Sequence, residues 1–187
     1  MKKIIIVLAF TIPVLTQAQE PPLKKGYTPQ IDLSLISGIQ NNQNIEASAI
    51  VYGIEISLQC PLINTKKSYI RQQFSLIRQE GKELKSLAVE INPQYKIIAK
   101  PSFELGIGPS AGLIFTNVSE DNKPIFSYGL GASAIYHFKK FFIGFESRYA
   151  LTKKVPFAHL NIKPELVAGG NLNNLRTFFK IGYKFYK

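Results

Sequence analysis

The chain has one cysteine, Cys60, and no tryptophan. A lone thiol cannot close an intramolecular disulfide, and a cysteine-rich metal site needs several. The two histidines, His137 and His159, are too few for a histidine-built metal centre, so no cofactor or metal is expected. Charge is scarce at 19% of residues, and acids are the scarcer half: 12 Asp and Glu against 23 Lys and Arg, a net +11. The bases are scattered rather than clustered, which speaks against nucleic acid and for anionic lipid or lipopolysaccharide phosphates. Long apolar runs are also missing. Past residue 18 no stretch approaches the roughly 18 consecutive apolar residues of a transmembrane helix, and no helical period competes with what is found instead.

The one apolar run is at the start. Lys2 and Lys3 precede the run from Ile4 to Leu15, and Thr16 and Ala18 put small residues where a signal peptidase reads. The run is too short to cross about 30 Å of hydrocarbon as a helix, and it contains Pro13. Residues 1–18 therefore read as a cleaved signal peptide, and loss of Lys2 and Lys3 leaves a mature chain of +9. Residues 19–30, with Pro21, Pro22, Lys24, Lys25 and Pro29, read as an irregular periplasmic segment. Residues 31–187 read as one domain.

That domain alternates with a period of two. Apolar residues take one parity and polar or small residues the other in eight segments: 31–38, 47–60, 68–79, 84–97, 102–116, 126–138, 141–151 and 177–187. Ile36 breaks the first alternation, and Pro109 in the fifth predicts a local irregularity in the ladder. In the final segment Phe179, Ile181, Tyr183 and Phe185 oppose Lys180, Gly182 and Lys184. A closed sheet needs such a last strand to pair with its first. An even strand count puts both termini on one side, with turns at 61–67, 99–101 and 139–140. The loops at 41–44, 79–83, 117–124 and 152–174 then lie on the other.

Alternation alone does not say which face is outside. The glycines help: Gly106, Gly108, Gly112, Gly129, Gly131, Gly144 and Gly182 share a parity with the charged residues. A soluble exterior gains nothing from so many glycines, whereas a narrow lumen gains room for a few long charged side chains. Aromatic residues take the other parity and gather near strand ends: Tyr52, Tyr95, Phe103, Phe126, Tyr136, Phe138, Phe141, Tyr149, Tyr183 and Phe185. Girdles at two membrane interfaces have that distribution. The expected fold is all-β, an eight-stranded antiparallel transmembrane up-and-down barrel following the signal peptide.

The leader, the run from Phe103 to Pro109 (Phe-Glu-Leu-Gly-Ile-Gly-Pro), the glycine-alternating run from Tyr128 to Ala134, the run from Gly144 to Tyr149 and the aromatic last strand together resemble the small outer-membrane β-barrels, the porin-like and OmpA- or OmpX-type eight-stranded family. The resemblance spans nearly all of the mature chain. It implies a Gram-negative outer-membrane location, outer-membrane lipids as partners, and a last strand read by the barrel-insertion machinery. That signal usually ends on an aromatic residue, and here Lys187 follows Tyr186. No nucleic-acid partner is expected, and the barrel is expected to be a monomer.

Two groups of residues are candidates for function. Glu90, Glu104, Glu146, Arg148 and Lys180 share the lumen parity. They make either a charged constriction or a salt-bridged plug, and the small interior of an eight-stranded barrel favours the plug. Lys66, Lys67, Lys139 and Lys140 lie in turns at the terminus side, as contacts for lipid headgroups. Catalytic residues are not expected. A lipid-deacylating barrel needs a His and a Ser two apart with a supporting acid. Neither His137 nor His159 has that spacing, and Ser133 stands about 13 Å along the strand from His137. Gly106 and Gly108 look like a dinucleotide-fingerprint fragment, but no helix follows. The expected function is a structural or narrow porin-like membrane barrel, not an enzyme. The alternatives are a lipid-modifying membrane enzyme and a secreted soluble barrel holding a small ligand.

Overall fold

The computed structural model describes residues 30–43, 48–64, 69–82, 84–117, 123–155 and 170–185. The strands are β1 (Ile31–Asn42), β2 (Ser48–Asn64), β3 (Tyr69–Glu80), β4 (Lys85–Ala99), β5 (Phe103–Thr116), β6 (Ile125–Phe138), β7 (Phe141–Thr152), β8 (Lys154–Val155), β9 (Gly170–Asn171) and β10 (Asn174–Phe185). Eight of them close into a barrel in the order β1-β10-β7-β6-β5-β4-β3-β2, and β8 pairs with β9 alone. Closure is antiparallel and in continuous register, from Ile31↔Phe185 to Asn42↔Asn174. The signal-peptide region and the turn carrying Lys66 and Lys67 lie outside the described residues.

The apolar parity faces outward. Leu130 is 61% exposed and Phe145 62%, whereas Glu146 is 1% and Arg148 0% exposed. A soluble barrel has the reverse arrangement, so this exterior is a surface for hydrocarbon. Tyr52, Tyr95, Phe126, Tyr136, Phe138, Phe141, Tyr149 and Phe185 are all exposed on it. At the terminus side, Phe141 and Phe185 each pack edge-on against Tyr183.

Several boundaries differ from the sequence reading. β1 runs on to Asn42 and takes in part of the segment read as a turn. β2 continues through Pro61 to Asn64, and its pairing with β3 shifts between Gln59 and Asn64 to absorb the change. The connection read as 152–174 contains the β8–β9 ladder. The irregularity at Pro109 falls on one side only. Pairing with β6 is unbroken through Pro109↔Leu130, while pairing with β4 jumps from Ile91↔Ala111 to Tyr95↔Ile107. In that register Pro93 faces Pro109, and neither nitrogen carries a proton to donate. A Cβ on Gly108 would run into the Pro93 carbonyl oxygen, so only glycine lets the two strands approach there. The Lys139–Lys140 turn does join β6 to β7, with Lys139 at φ 55°.

The lumen has two zones. Towards the loop end, Ile36, Val51, Ile77, Ala88, Ile114, Ile125 and Phe178 meet as an apolar layer, closed from above by Leu84 and Leu172. Ile36, which breaks the alternation of β1, does so because its inward position lies in this layer. Leu172 is held by its backbone: its N–H donates to Thr152 Oγ1 at 2.7 Å, and the Thr152 N–H donates to Asn173 Oδ1 at 2.9 Å. The other zone is polar and holds the charged side chains.

Candidate functional site: a charged lumen

The register shows how long charged side chains fit. Glu90 lies opposite Gly112, Arg148 opposite Gly131, Lys180 opposite Gly144, and Lys96 opposite Gly106. Each of these four inward charges thus has a glycine beside it and can extend across the lumen. A Cβ on Gly106 would come within 2.9 Å of Lys96 Nζ.

The central group is built around Arg148. Its Nη2 donates to Glu55 Oε2 at 2.6 Å, its Nη1 to Glu90 Oε2 at 3.1 Å and to Ser75 Oγ at 2.9 Å, and its Nε to Glu146. Lys180 Nζ donates to both Glu55 oxygens, at 2.7 and 2.9 Å, and pairs with Glu146. Arg176 and Arg148 are directly opposed between β10 and β7, an arrangement that repels unless an anion intervenes. Glu90 supplies it from β4, with Oε1 2.5 Å from Arg176 Nη2. The Arg148 guanidinium also stacks 5.3 Å from the Phe178 ring centre, where the charged zone meets the apolar layer. Three carboxylates, Glu55, Glu90 and Glu146, thereby balance three cations, Arg148, Arg176 and Lys180.

A second group lies nearer the terminus side. Arg71 pairs with Asp32, and its Nη2 reaches Glu104 Oε1 at 3.3 Å and the Tyr69 hydroxyl at 3.0 Å. His137 Nε2 is 2.8 Å and Lys96 Nζ 3.9 Å from Glu104. Lys96 also donates at 3.2 Å to both Gln94 Oε1 and Ser133 Oγ. Asn92 reaches the central group from β4, donating to Glu146 Oε1 at 2.7 Å and Gln73 Oε1 at 2.9 Å.

Of the five lumen residues named from sequence, Glu90, Glu146, Arg148 and Lys180 meet in the central group, and Glu104 sits in the second. Sequence reasoning did not place Asp32, Glu55, Arg71, Lys96 or Arg176 in the charge network, and it weighed His137 only as a metal or catalytic candidate. The first four were legible as polar-parity residues, beside Ser34, Gly53, Gln73 and Gln94. Arg176 was not, because the last segment was read from Thr177, whereas β10 begins at Asn174. Lys139 and Lys140 are exposed at the terminus-side turn.

Chemically, the described lumen presents charges held in ion pairs. Ser133 Oγ is held by Gln94 and Lys96 rather than by His137. Among the described residues, no three His, Cys, Asp or Glu side chains are grouped to hold a metal ion. Near the loop end, Gln40, Gln79, Ser86, Asn174 and Arg176 line a recess with room for about one water, roughly 10 Å³.

The same architecture occurs in solved barrels. Neisserial surface protein A (NspA) superposes with a TM-score of 0.54 at 11% identity, over 84% of this chain and 97% of that one. The outer membrane enzyme PagL superposes with a TM-score of 0.50 at 14% identity, over 81% and 98%. At such identities the likeness is one of fold. No protein-family model and no curated protein matches the chain.

Proposed function

We propose that this is an outer-membrane barrel with a structural, non-catalytic role, whose lumen is closed at rest by its own ion pairs. The observation that supports it most is the enclosure of Arg148 by three carboxylates drawn from β2, β4 and β7. Buried charges survive only when paired and hydrogen-bonded, and these pairs occupy the space an ion path would need. The plug is favoured over the charged constriction for that reason. A narrow conductance then requires the central group to part.

A fold of this kind does not exclude catalysis, since PagL is an outer membrane enzyme. The non-catalytic reading draws its support from the side chains: the one described histidine is inside the wall, beside a carboxylate, with no hydroxyl on it. The reading carries lipids as partners of the exterior and the barrel-insertion machinery as the partner of β10. It also takes the barrel to work as a monomer.

Planar-bilayer recording tests the closed lumen. The wild-type barrel should give no steady conductance steps, and Arg148→Ala should give small ones. Long-lived open steps from the wild type would overturn the plug. Release of acyl chains from lipid A or phospholipid by the purified barrel would overturn the non-catalytic role.

A further inference from the structure

The hydrocarbon-facing side of the barrel strands is uncharged except in one place. Among the described residues of that face, the charged side chains are Arg78, Glu80 and Lys85, and all three belong to the hairpin joining β3 to β4 at the loop end. Every other charge on the barrel strands points into the lumen. Charge on this face is costly at the bilayer midplane and tolerated near the interfaces, so the height of the cluster decides what it meets.

Its height is set by the register. Arg78 lies opposite Tyr52 on one side and Leu87 on the other, and Leu87 is opposite Phe115. Tyr52, Leu87 and Phe115 are exposed. Arg78 is therefore one member of the loop-side aromatic belt, the level at which headgroups replace acyl chains. Below it on the same face is the exposed Leu76.

The cations are gathered by an acid. Arg78 Nε is 2.5 Å from Glu80 Oε1, and Lys85 Nζ is 3.9 Å from Glu80 Oε2. The side chains of Arg78 and Lys85 are 54% and 61% exposed, against 33% for Glu80. Glu80 thus draws two cations to one spot while they remain open outward, and exposed Lys82 stands in the adjoining turn. With Nε given to Glu80 and a further hydrogen bond to the Tyr52 hydroxyl, the guanidinium still has N–H donors left on its Nη nitrogens for other acceptors. A planar fork beside a point charge matches a phosphate group, which offers several acceptor oxygens and a full negative charge.

We propose that the β3–β4 hairpin is the barrel's contact for the phosphate of a lipid in the loop-side leaflet, held by Arg78 and Lys85 with Lys82 beside them. This rests on the reading that the barrel spans a membrane with its loops towards a phosphate-bearing leaflet. The site is distinct from the terminus-side lysines and lies on the opposite rim.

The test uses the full-length barrel in detergent, with lipid A and dephosphorylated lipid A as probes. Bound lipid is read by native mass spectrometry. Two cation contacts at a membrane surface predict that Arg78→Gln with Lys85→Gln weakens lipid A binding about thirtyfold. Dephosphorylated lipid A should bind wild type and variant alike, and Arg78→Lys with Lys85→Arg should keep most of the affinity. Equal binding of lipid A by wild type and the Gln variant overturns the proposal. So does inorganic phosphate alone displacing lipid A at millimolar concentration, which would mark a free-phosphate site. Heat-modifiable migration is read on the same samples. A chain that forms no barrel sinks the membrane reading as well, whereas a formed barrel indifferent to lipid phosphate sinks this proposal alone.

Discussion

Replacing Arg148 by methionine removes the one side chain that touches three carboxylates at once. As built, the central group is neutral. Without Arg148, Glu90 keeps Arg176 and Glu146 keeps Lys180, but Glu55 must share Lys180 and one negative charge goes unbalanced. Breaking a buried pair by removing one partner costs about 3–5 kcal/mol. Loss of the stacking on Phe178 adds about 1 kcal/mol. The single variant should therefore lose about 4–6 kcal/mol. Adding Glu55→Gln restores balance and leaves the Arg176–Glu90 and Lys180–Glu146 pairs whole, so the double variant should recover at least ~2 kcal/mol. Urea unfolding in phospholipid vesicles measures both. Circular dichroism is the suitable signal, because the chain has no tryptophan. A single variant within about 1 kcal/mol of wild type, or a double variant no better than the single, would show that the lumen charges are solvated and the balance argument is wrong.

Leu130→Arg places a charge mid-strand on the hydrocarbon face and should cost about 2–4 kcal/mol in bilayers, while Lys140→Arg in the turn should cost nothing measurable; equal folded yields would reverse the assigned faces. Leu172→Ala should lose about 2–4 kcal/mol in the same unfolding assay, because the side chain closes the apolar layer; a loss near zero would mean the layer is loosely packed. Gly38→Val should abolish the heat-modifiable folded band, since any Cβ there meets the Thr177 carbonyl at the closing seam; an unchanged band would show that the seam can widen.

Period-two alternation is a local property, so the strands and the sharing of faces were readable from the chain alone. Which parity faces hydrocarbon was readable from the glycines, since Gly106, Gly112, Gly131 and Gly144 pair with long charged residues in the folded register. Height within the barrel was not readable. Ile36, Val51, Ile77 and Ile114 each sit beside an outward apolar residue, and in the sequence each pair reads as a lapse in the pattern. Only the stagger of eight strands brings them to one level. Pro61 was taken as a breaker, yet it lies within β2, where the register with β3 is already shifting and a missing donor is tolerated. Partner choice among the charges was equally hidden: Asp32 pairs with Arg71 and Glu55 with Arg148, across separations that no spacing rule addresses.

The central group has a consequence for assembly order. Lys180 reaches Glu55 across 125 positions of chain, and Arg148 reaches it across 93. No hairpin of neighbouring strands contains both halves of these pairs. A partly inserted sheet would carry unmatched charges against hydrocarbon, where each is expensive to hold. Neutralisation arrives only when β10 meets β1 and the ring shuts. Intermediates lacking β10 are for that reason poorly suited to persist in the bilayer, so the lumen pairs favour the closed ring over any open sheet.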